Sequence, residues 1–235
     1  MVRSTSADIS RVEMDRRAVP FDEILGNEPK VLGVIWDLDG TIVDSIEIHF
    51  KAWEQVLRRH GVAFARQDFA VMLQDGADSA LRSLFAPISG TGLSQIRNEK
   101  ERYFRDLIKG NAVLLPGVLG LLKRSGERGL RQAVASSAPL ENIESVLAEL
   151  SIRSYFDVLV SSDQFPDKPV PDVLIEAARR LEVSPERCLV IEDSEAGILA
   201  AKRAKMRCIA VGRFPLSSDL GKGGLNVRSL DQILL

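Results

Sequence analysis

The sequence predicts an α/β protein with a doubly wound, Rossmann-like parallel sheet as its core and a small α-helical cap domain inserted after the first core strand. An apolar run over residues 31–36 leads directly into Asp37 and Asp39, as expected of a strand that is buried on both faces and ends at a polar sheet edge. Residues 45–112 show helical patterns and no convincing strand. From Pro116 onward strands and helices alternate, which is typical of a parallel sheet with crossover helices.

Composition indicates an ordinary globular chain. The 235 residues carry a formal net charge of −2, so we expect neither a nucleic-acid partner nor a polybasic membrane surface. Cys188 and Cys208 lie in apolar strand-like runs, and their spacing does not suggest zinc. The N-terminus lacks the apolar segment of a signal peptide. We predict a soluble, cytoplasmic protein that is a monomer or a weak dimer.

The chain divides at the inserted helices. Residues 1–28 are polar with little periodicity, and we interpret them as a loosely attached N-terminal extension with a short helix around 9–17. Residues 29–44 and 113–235 form the predicted α/β core, and residues 45–112 form the predicted helical cap.

The cap is predicted to hold three helices. Ser45 can cap the first of them, whose apolar positions recur at three- and four-residue steps, and Gly61 ends it. Two further helices are predicted over 78–86 and 93–109, with the glycine-containing stretch 90–92 between them.

The core then alternates between strands and helices. The predicted strands cover 131–135, 157–160, 188–191 and 207–211, and the predicted helices cover 116–123, 139–150, 171–181 and 195–204. A glycine-rich stretch over 221–224 lacks the strand-then-helix context of a nucleotide fingerprint, so we interpret it as a turn.

The first strand ends in two carboxylates that can share one crevice. Asp37 and Asp39 are two residues apart, and Gly40 allows the backbone to turn sharply after them. Ligands of open α/β sheets bind just outside this edge. Close like charges are costly there unless a cation or a shared proton relieves them. Taken alone, these residues also fit an ordinary acidic turn.

Polar residues follow the later strands as well. Ser136 and Ser137 end the second strand, where they can hold a phosphate with nearby backbone N–H groups or simply cap a helix. Lys168 lies in a proline-stiffened segment after the third strand. Glu192 and Asp193 end the fourth strand as a second acidic pair.

Together these stretches resemble the four motifs of the haloacid dehalogenase superfamily of phosphohydrolases. In chain order they are Asp37-Leu38-Asp39-Gly40-Thr41, Ser136, Lys168-Pro169-Val170-Pro171-Asp172 and Glu192-Asp193. The resemblance covers roughly residues 30–213. A cap between the first two motifs is similar to the branch that contains β-phosphoglucomutases and many small-molecule phosphatases. Asp167 and Lys205 are departures, since the family more often has glycine at both positions.

The resemblance implies a phosphomonoester hydrolase for a small metabolite such as a sugar phosphate. Asp37 would attack phosphorus and form an aspartyl-phosphate. Asp39 would protonate the leaving oxygen and then deprotonate water. Ser136 would contact the phosphoryl group, and Lys168 would neutralise the nucleophile and the phosphoryl oxygens.

Mg²⁺ is the cofactor that the resemblance implies. Its ligands would be Asp37, the backbone carbonyl of Asp39, and Asp193, with Glu192 close behind. The dehalogenase branch lacks the second aspartate and needs no magnesium, so Asp39 argues against dehalogenation.

Substrate-binding residues are also implied by the resemblance, at His49, Gly76 and Lys100 on the cap side and at Ser137. In β-phosphoglucomutases a glycine-led cap loop carries an arginine for the second phosphate of the substrate. Here residues 74–81 are acidic and lack arginine, which favours a phosphatase over a phosphosugar mutase.

A β-phosphoglucomutase-like mutase remains the alternative among enzymes. A catalytically silent binding or regulatory protein of the same fold is the alternative from another class. The intact catalytic set argues against the silent protein.

Overall fold

A six-stranded parallel sheet forms the centre of the protein. The computed structural model describes residues 19–25, 30–75, 77–84, 90–212 and 225–234. The central strands are β2 (Gly33–Trp36), β3 (Arg131–Ser136), β4 (Val158–Ser161), β5 (Cys188–Glu192), β6 (Arg207–Val211) and β7 (Leu225–Val227). Their order is β4-β3-β2-β5-β6-β7, and every pairing is parallel. The predicted α/β class is confirmed. Strand β7 was not predicted.

Helices cover both faces of this sheet, because each parallel crossover must leave the sheet and return. They are α6 (Val118–Glu127), α7 (Leu140–Glu149), α8 (Asp172–Arg180) and α9 (Glu195–Arg203). One apolar cluster packs α6 and α7 on the sheet, and a second packs α8 and α9 on the other face. All four residues of β2 are buried, which explains its continuous apolar sequence.

The register of β2 determines what meets at its end. Trp36 lies opposite Val134 of β3 and Ile191 of β5. The chain after Trp36 therefore emerges between the ends of β3 and β5. This brings Asp37 next to the polar residues that end those two strands.

Residues 46–108 contribute four helices: α2 (Ile46–Arg59), α3 (Arg66–Asp75), α4 (Ala77–Leu84) and α5 (Gly90–Ile108). Helix α3 was not predicted, because residues 69–73 are an unbroken apolar run that shows no helical periodicity. The structure buries Phe69 and Met72 of this run, while Val71 and Leu73 are exposed. The prediction that residues 90–92 separate two helices is wrong. They form the start of α5, where glycine interrupts the helix less than in its interior.

An N-terminal segment packs against the core. Strand β1 (Val19–Pro20) pairs with β8 (Ile233–Leu234), and helix α1 (Phe21–Leu25) follows it. Phe21 is 1% exposed within the main apolar cluster. The predicted loose attachment is therefore wrong for residues 19–25, because Phe21 is buried in the core and β1 pairs with β8.

The predicted helix over 9–17, the turn over 221–224 and Gly76 lie outside the described residues. Among the helices that the structure describes, none is long and apolar enough to cross a membrane.

The role of this segment can be tested with Phe21→Ala. Removal of a buried aromatic ring should lower the free energy of unfolding by about 3–5 kcal/mol. Leu234→Ala in the paired strand β8 is the control, because Leu234 is 52% exposed and its loss should cost only about 0.5 kcal/mol. Urea unfolding measures both variants. Equal, small losses would contradict a structural role for residues 19–25.

Candidate active site

Asp37 and Asp39 enter the site on a tight turn after β2. The Asp37 N–H donates to the Ile191 carbonyl at 2.9 Å, and the Gly40 N–H donates to the Val43 carbonyl at 2.9 Å. Gly40 has a φ of +80°, and a Cβ atom there would collide with the Asp193 carboxylate. Glycine is therefore required at this position both by the backbone conformation and by the space available.

Lys168 links Asp37 to the second acidic pair. Its Nζ donates to Asp37 Oδ1 and to Glu192 Oε2, each at 2.6 Å. All three side chains are almost fully buried. Burial would lower the pKa of Lys168, but the two carboxylates outweigh it and raise that pKa. Lys168 is therefore a fixed positive charge between two carboxylates.

Glu192 is held from both sides. Its Oε1 accepts hydrogen bonds from the Ser194 hydroxyl at 2.9 Å and the Ser194 N–H at 3.2 Å, while Oε2 faces Lys168. Ser194 is also the N-cap of α9, since its Oγ accepts from the Gly197 N–H at 3.0 Å. A Cβ atom on Gly197 would collide with the Glu192 carboxylate, so the first turn of α9 packs directly against this side chain.

An excess of negative charge surrounds Asp37. Oxygen atoms of Asp37, Glu192 and Asp193 all lie within 4.8 Å of one another. Burial and the charge of Glu192 raise the pKa of Asp37 well above its ordinary value. Burial and Glu192 likewise raise the pKa of Asp193 to about 7. One ammonium does not balance this cluster, and an all-oxygen donor set with surplus charge suits a hard cation such as Mg²⁺.

Asp39 has different surroundings. Its Oδ1 accepts a hydrogen bond from the Ser45 hydroxyl at 2.5 Å and contacts His49 Nε2 at 3.1 Å. Burial alone would raise the pKa of Asp39, but His49, Ser45 and the Lys100 ammonium outweigh it and lower the pKa to about 2. Asp39 is therefore ionised in this arrangement.

The prediction that the Ser45 side chain caps α2 is wrong, because its hydroxyl makes no cap hydrogen bond and binds Asp39 instead. Sequence reasoning missed this role. The only signal was the position of Ser45 in the turn that follows the aspartates.

The remaining predicted residues line the same cavity, which has a volume of about 470 Å³. Ser136 and Ser137 line it from the end of β3, and Ser136 Oγ accepts from the Ala138 N–H at 3.1 Å. His49 and Lys100 line it from α2 and α5, with His49 Nδ1 and Lys100 Nζ 2.9 Å apart. Apart from Gly76, every predicted site residue therefore lies at this cavity.

Glu101 of α5 and Asn142 of α7 are among the polar cavity-lining residues that were not predicted. Asn142 Nδ2 donates to Glu101 Oε2 at 2.7 Å. These residues are 41 positions apart in sequence, and nothing in the local pattern around either one indicates the contact.

Two relatives with phosphatase names cover most of this chain. Hexitol phosphatase B of Escherichia coli (strain K12) is 32% identical over 186 residues, which cover 77% of this chain and 84% of that protein. Phosphorylated carbohydrates phosphatase of Thermotoga maritima is 32% identical over 177 residues, covering 73% and 80%.

A third relative is much longer than this chain. Protein SUPPRESSOR OF QUENCHING 1, chloroplastic, of Arabidopsis thaliana is 35% identical over 190 residues, which cover 77% of this chain and 18% of that protein. The chain therefore spans less than a fifth of this relative.

The fold matches solved structures of similar size. The crystal structure of CbbY from Rhodobacter sphaeroides in complex with phosphate superposes with a TM-score of 0.76 at 26% identity, covering 86% of this chain and 95% of that one. The sequence profile of the haloacid dehalogenase-like hydrolases matches residues 34–211, which is more than half of the chain. The family prediction is confirmed: this chain belongs to the haloacid dehalogenase-like hydrolase family.

Proposed function

We propose that the protein is a magnesium-dependent phosphomonoester hydrolase that acts on a sugar phosphate through an aspartyl-phosphate. The observation that carries this proposal is the buried Asp37 carboxylate held by Lys168 beside Glu192 and Asp193, at the wall of a cavity large enough for a small metabolite. The names of the hexitol phosphatase and of the phosphorylated carbohydrates phosphatase support a sugar phosphate as substrate.

Asp37 is the nucleophile in this proposal. Lys168 holds its Oδ1 and thereby orients the carboxylate, and we assign the attack on phosphorus to the other oxygen. A bond forms between this oxygen and phosphorus while the bond from phosphorus to the sugar oxygen breaks. Water then attacks phosphorus, and inorganic phosphate and free Asp37 result. Lys168 and the Ser136 hydroxyl balance the charge on the phosphoryl oxygens.

Asp39 moves the protons. His49, Ser45 and Lys100 favour its ionised form by lowering its pKa, and this form would take a proton from the attacking water in the second step. In the first step a charged phosphoryl group next to Asp39 raises its proton affinity, because like charges disfavour ionisation. The protonated side chain can then give its proton to the sugar oxygen as that oxygen leaves.

Magnesium would be held by Asp37, Asp193 and the backbone carbonyl of Asp39. Glu192 would lie next to these ligands and orient Lys168, since both of its oxygens already accept hydrogen bonds from Lys168 and Ser194. When bound, the ion would offset the negative charge that the nucleophile and the phosphoryl group bring together.

Residues 45–112 would act as a cap over a core made of 29–44 and 113–235. Closure of the cap would exclude bulk water from the cavity and gate turnover. A cytoplasmic location and a monomeric or weakly dimeric state stay predictions.

Hydrolysis is favoured over mutase activity by the lining of the cavity. Among the described residues that line it there is no arginine, and Arg82 is exposed on α4 outside this lining. A second phosphate therefore has no guanidinium to bind among these residues.

Asp37 and Mg²⁺ should both be required for phosphate release. Phosphate release from a panel of sugar phosphates should need Mg²⁺ and should fall by about a thousandfold or more in Asp37→Asn. Asp106→Asn is the control, because the Asp106 side chain is 71% exposed on α5. Residual activity in Asp37→Asn close to that of the control would exclude Asp37 as nucleophile.

The same assay tests the alternative functions. Isomerisation without net phosphate release would favour the mutase, and no turnover on any phosphoester would favour the silent protein.

Asp39→Asn separates the two steps. p-Nitrophenolate leaves without a proton, so this variant should still transfer the phosphoryl group of p-nitrophenyl phosphate to Asp37. Hydrolysis of the intermediate needs the base and should be slow. Rapid-mixing measurements should therefore show a burst of p-nitrophenolate stoichiometric with enzyme, followed by slow turnover. Steady turnover at the wild-type rate without a burst would argue that Asp39 is not the base of the second step.

Gly197→Ala tests the positioning of Glu192. The added methyl group would displace the Glu192 carboxylate from Lys168, and we expect kcat to fall by about 10- to 100-fold. Gly126→Ala in α6 is the matched control, because no atom lies within 4 Å of the position that its Cβ would take and alanine favours the helix by about 1 kcal/mol. Unchanged kcat in Gly197→Ala would show that Glu192 need not stay in place.

A further inference from the structure

The wall of the cavity formed by α5 carries a charged pair, Lys100 and Glu101. Lys100 is 4% exposed, and its Nζ lies 5.5 Å from the centre of the Trp53 ring and 5.4 Å from that of Phe104. Glu101 is less buried, with 21% of its side chain exposed. Glu101 is therefore the member of the pair that is more open to a bound molecule.

The ammonium group of Lys100 has no donor left for a substrate. It has three N–H groups. Its nitrogen lies 2.9 Å from His49 Nδ1 and donates to the two oxygens of Glu101 at 3.0 and 3.1 Å. Binding an anion through Lys100 would require breaking one of these contacts inside a buried site.

Glu101 is fixed by a contact with the core. Asn142 of α7 is 1% exposed, and its Nδ2 donates to Glu101 Oε2 at 2.7 Å. The orientation of this amide is determined by its partners, since its Oδ1 accepts from Arg105 Nη1 at 2.8 Å and a carboxylate can only accept. Glu101 is therefore held in one position at the cavity wall.

This carboxylate keeps acceptor capacity. A carboxylate has about four acceptor positions, and Lys100 and Asn142 use three of those on Glu101. Sugar hydroxyl groups are donors that can use the fourth. A phosphate or carboxylate on the substrate cannot donate there when ionised and would face a like charge.

We propose that Glu101 is a specificity-determining residue that accepts a hydroxyl group of the sugar and excludes substrates with a second anionic group. This inference rests on the proposed phosphatase function. The substrate is then a monophosphate whose remaining part is an uncharged polyol, and bisphosphates and phosphorylated sugar acids are disfavoured. Discrimination of this kind comes from a repulsive element as much as from an attractive one.

The test is competition against p-nitrophenyl phosphate hydrolysis, which reports binding whether or not the competitor is cleaved. The competitors are sorbitol 6-phosphate and 6-phosphogluconate, which differ mainly in the carboxylate at the far end. The wild-type protein should bind sorbitol 6-phosphate at least tenfold more tightly. Glu101→Gln keeps the shape but removes the charge and should reduce this preference about tenfold, partly by tighter binding of 6-phosphogluconate.

Glu99→Gln is the matched control on the same helix. Glu99 contacts Arg59 and His60 outside the cavity-lining set, so its substitution should leave the preference unchanged. If Glu101 only supported Lys100, Glu101→Gln would weaken both competitors equally, and this result would overturn the proposal. Equal binding of the two competitors by the wild type would overturn it as well. Absence of hydrolysis by the wild type of p-nitrophenyl phosphate and of every sugar phosphate in the panel would instead reject the phosphatase function on which it rests.

Discussion

The crowding of carboxylates at one edge of the sheet is the constraint on which the site depends. Parallel strands β2 and β5 end side by side, and Asp37, Glu192 and Asp193 therefore share a small volume. Lys168 neutralises part of this charge, with Nζ 2.6 Å from two of the three carboxylates. The same carboxylates also restrict the backbone positions beside them. A Cβ atom at Gly40 would collide with Asp193, and a Cβ atom at Gly197 would collide with Glu192. The two glycines therefore leave the space that the crowded carboxylates occupy.

The two aspartates of the first motif differ because of what surrounds them. Burial beside Glu192 raises the pKa of Asp37, whereas His49, Ser45 and Lys100 lower the pKa of Asp39 to about 2 despite burial. Opposite shifts in neighbouring groups are a basis for assigning different roles. Asp37 lies beside Lys168, Glu192 and Asp193, where in the proposed mechanism a phosphoryl group would be attacked. Asp39 lies with hydrogen-bond donors from α2, on the side of the cavity where the leaving group would lie.

Sequence reasoning found the parts of the site that strand ends encode. An apolar run that stops at a carboxylate marks a sheet edge, so the residue pattern placed Asp37, Glu192 and Asp193 at strand ends, and the family resemblance grouped them in one site. The contacts of Ser45 and Asn142 could not be found this way. Ser45 had a local alternative as a helix cap, and the contact of Asn142 with Glu101 exists only because α5 and α7 pack together. Helix α3 and the buried Phe21 were missed for the same reason, since tertiary packing and not local periodicity holds them.

Asp39, the proposed acid–base group, and the cavity wall formed by α5 belong to one chain of polar contacts. Asp39 contacts His49, His49 contacts Lys100, Lys100 binds Glu101, and Glu101 binds Asn142 of the core. A molecule that pulled Glu101 away from Lys100 would also change what faces His49, and so the surroundings of Asp39. The proposed selection of the leaving group at Glu101 and the proton transfer proposed for Asp39 would therefore be physically connected. In these proposals the core end of the cavity would serve any phosphoryl group, and the wall formed by α5 would discriminate between leaving groups because it is linked to Asp39.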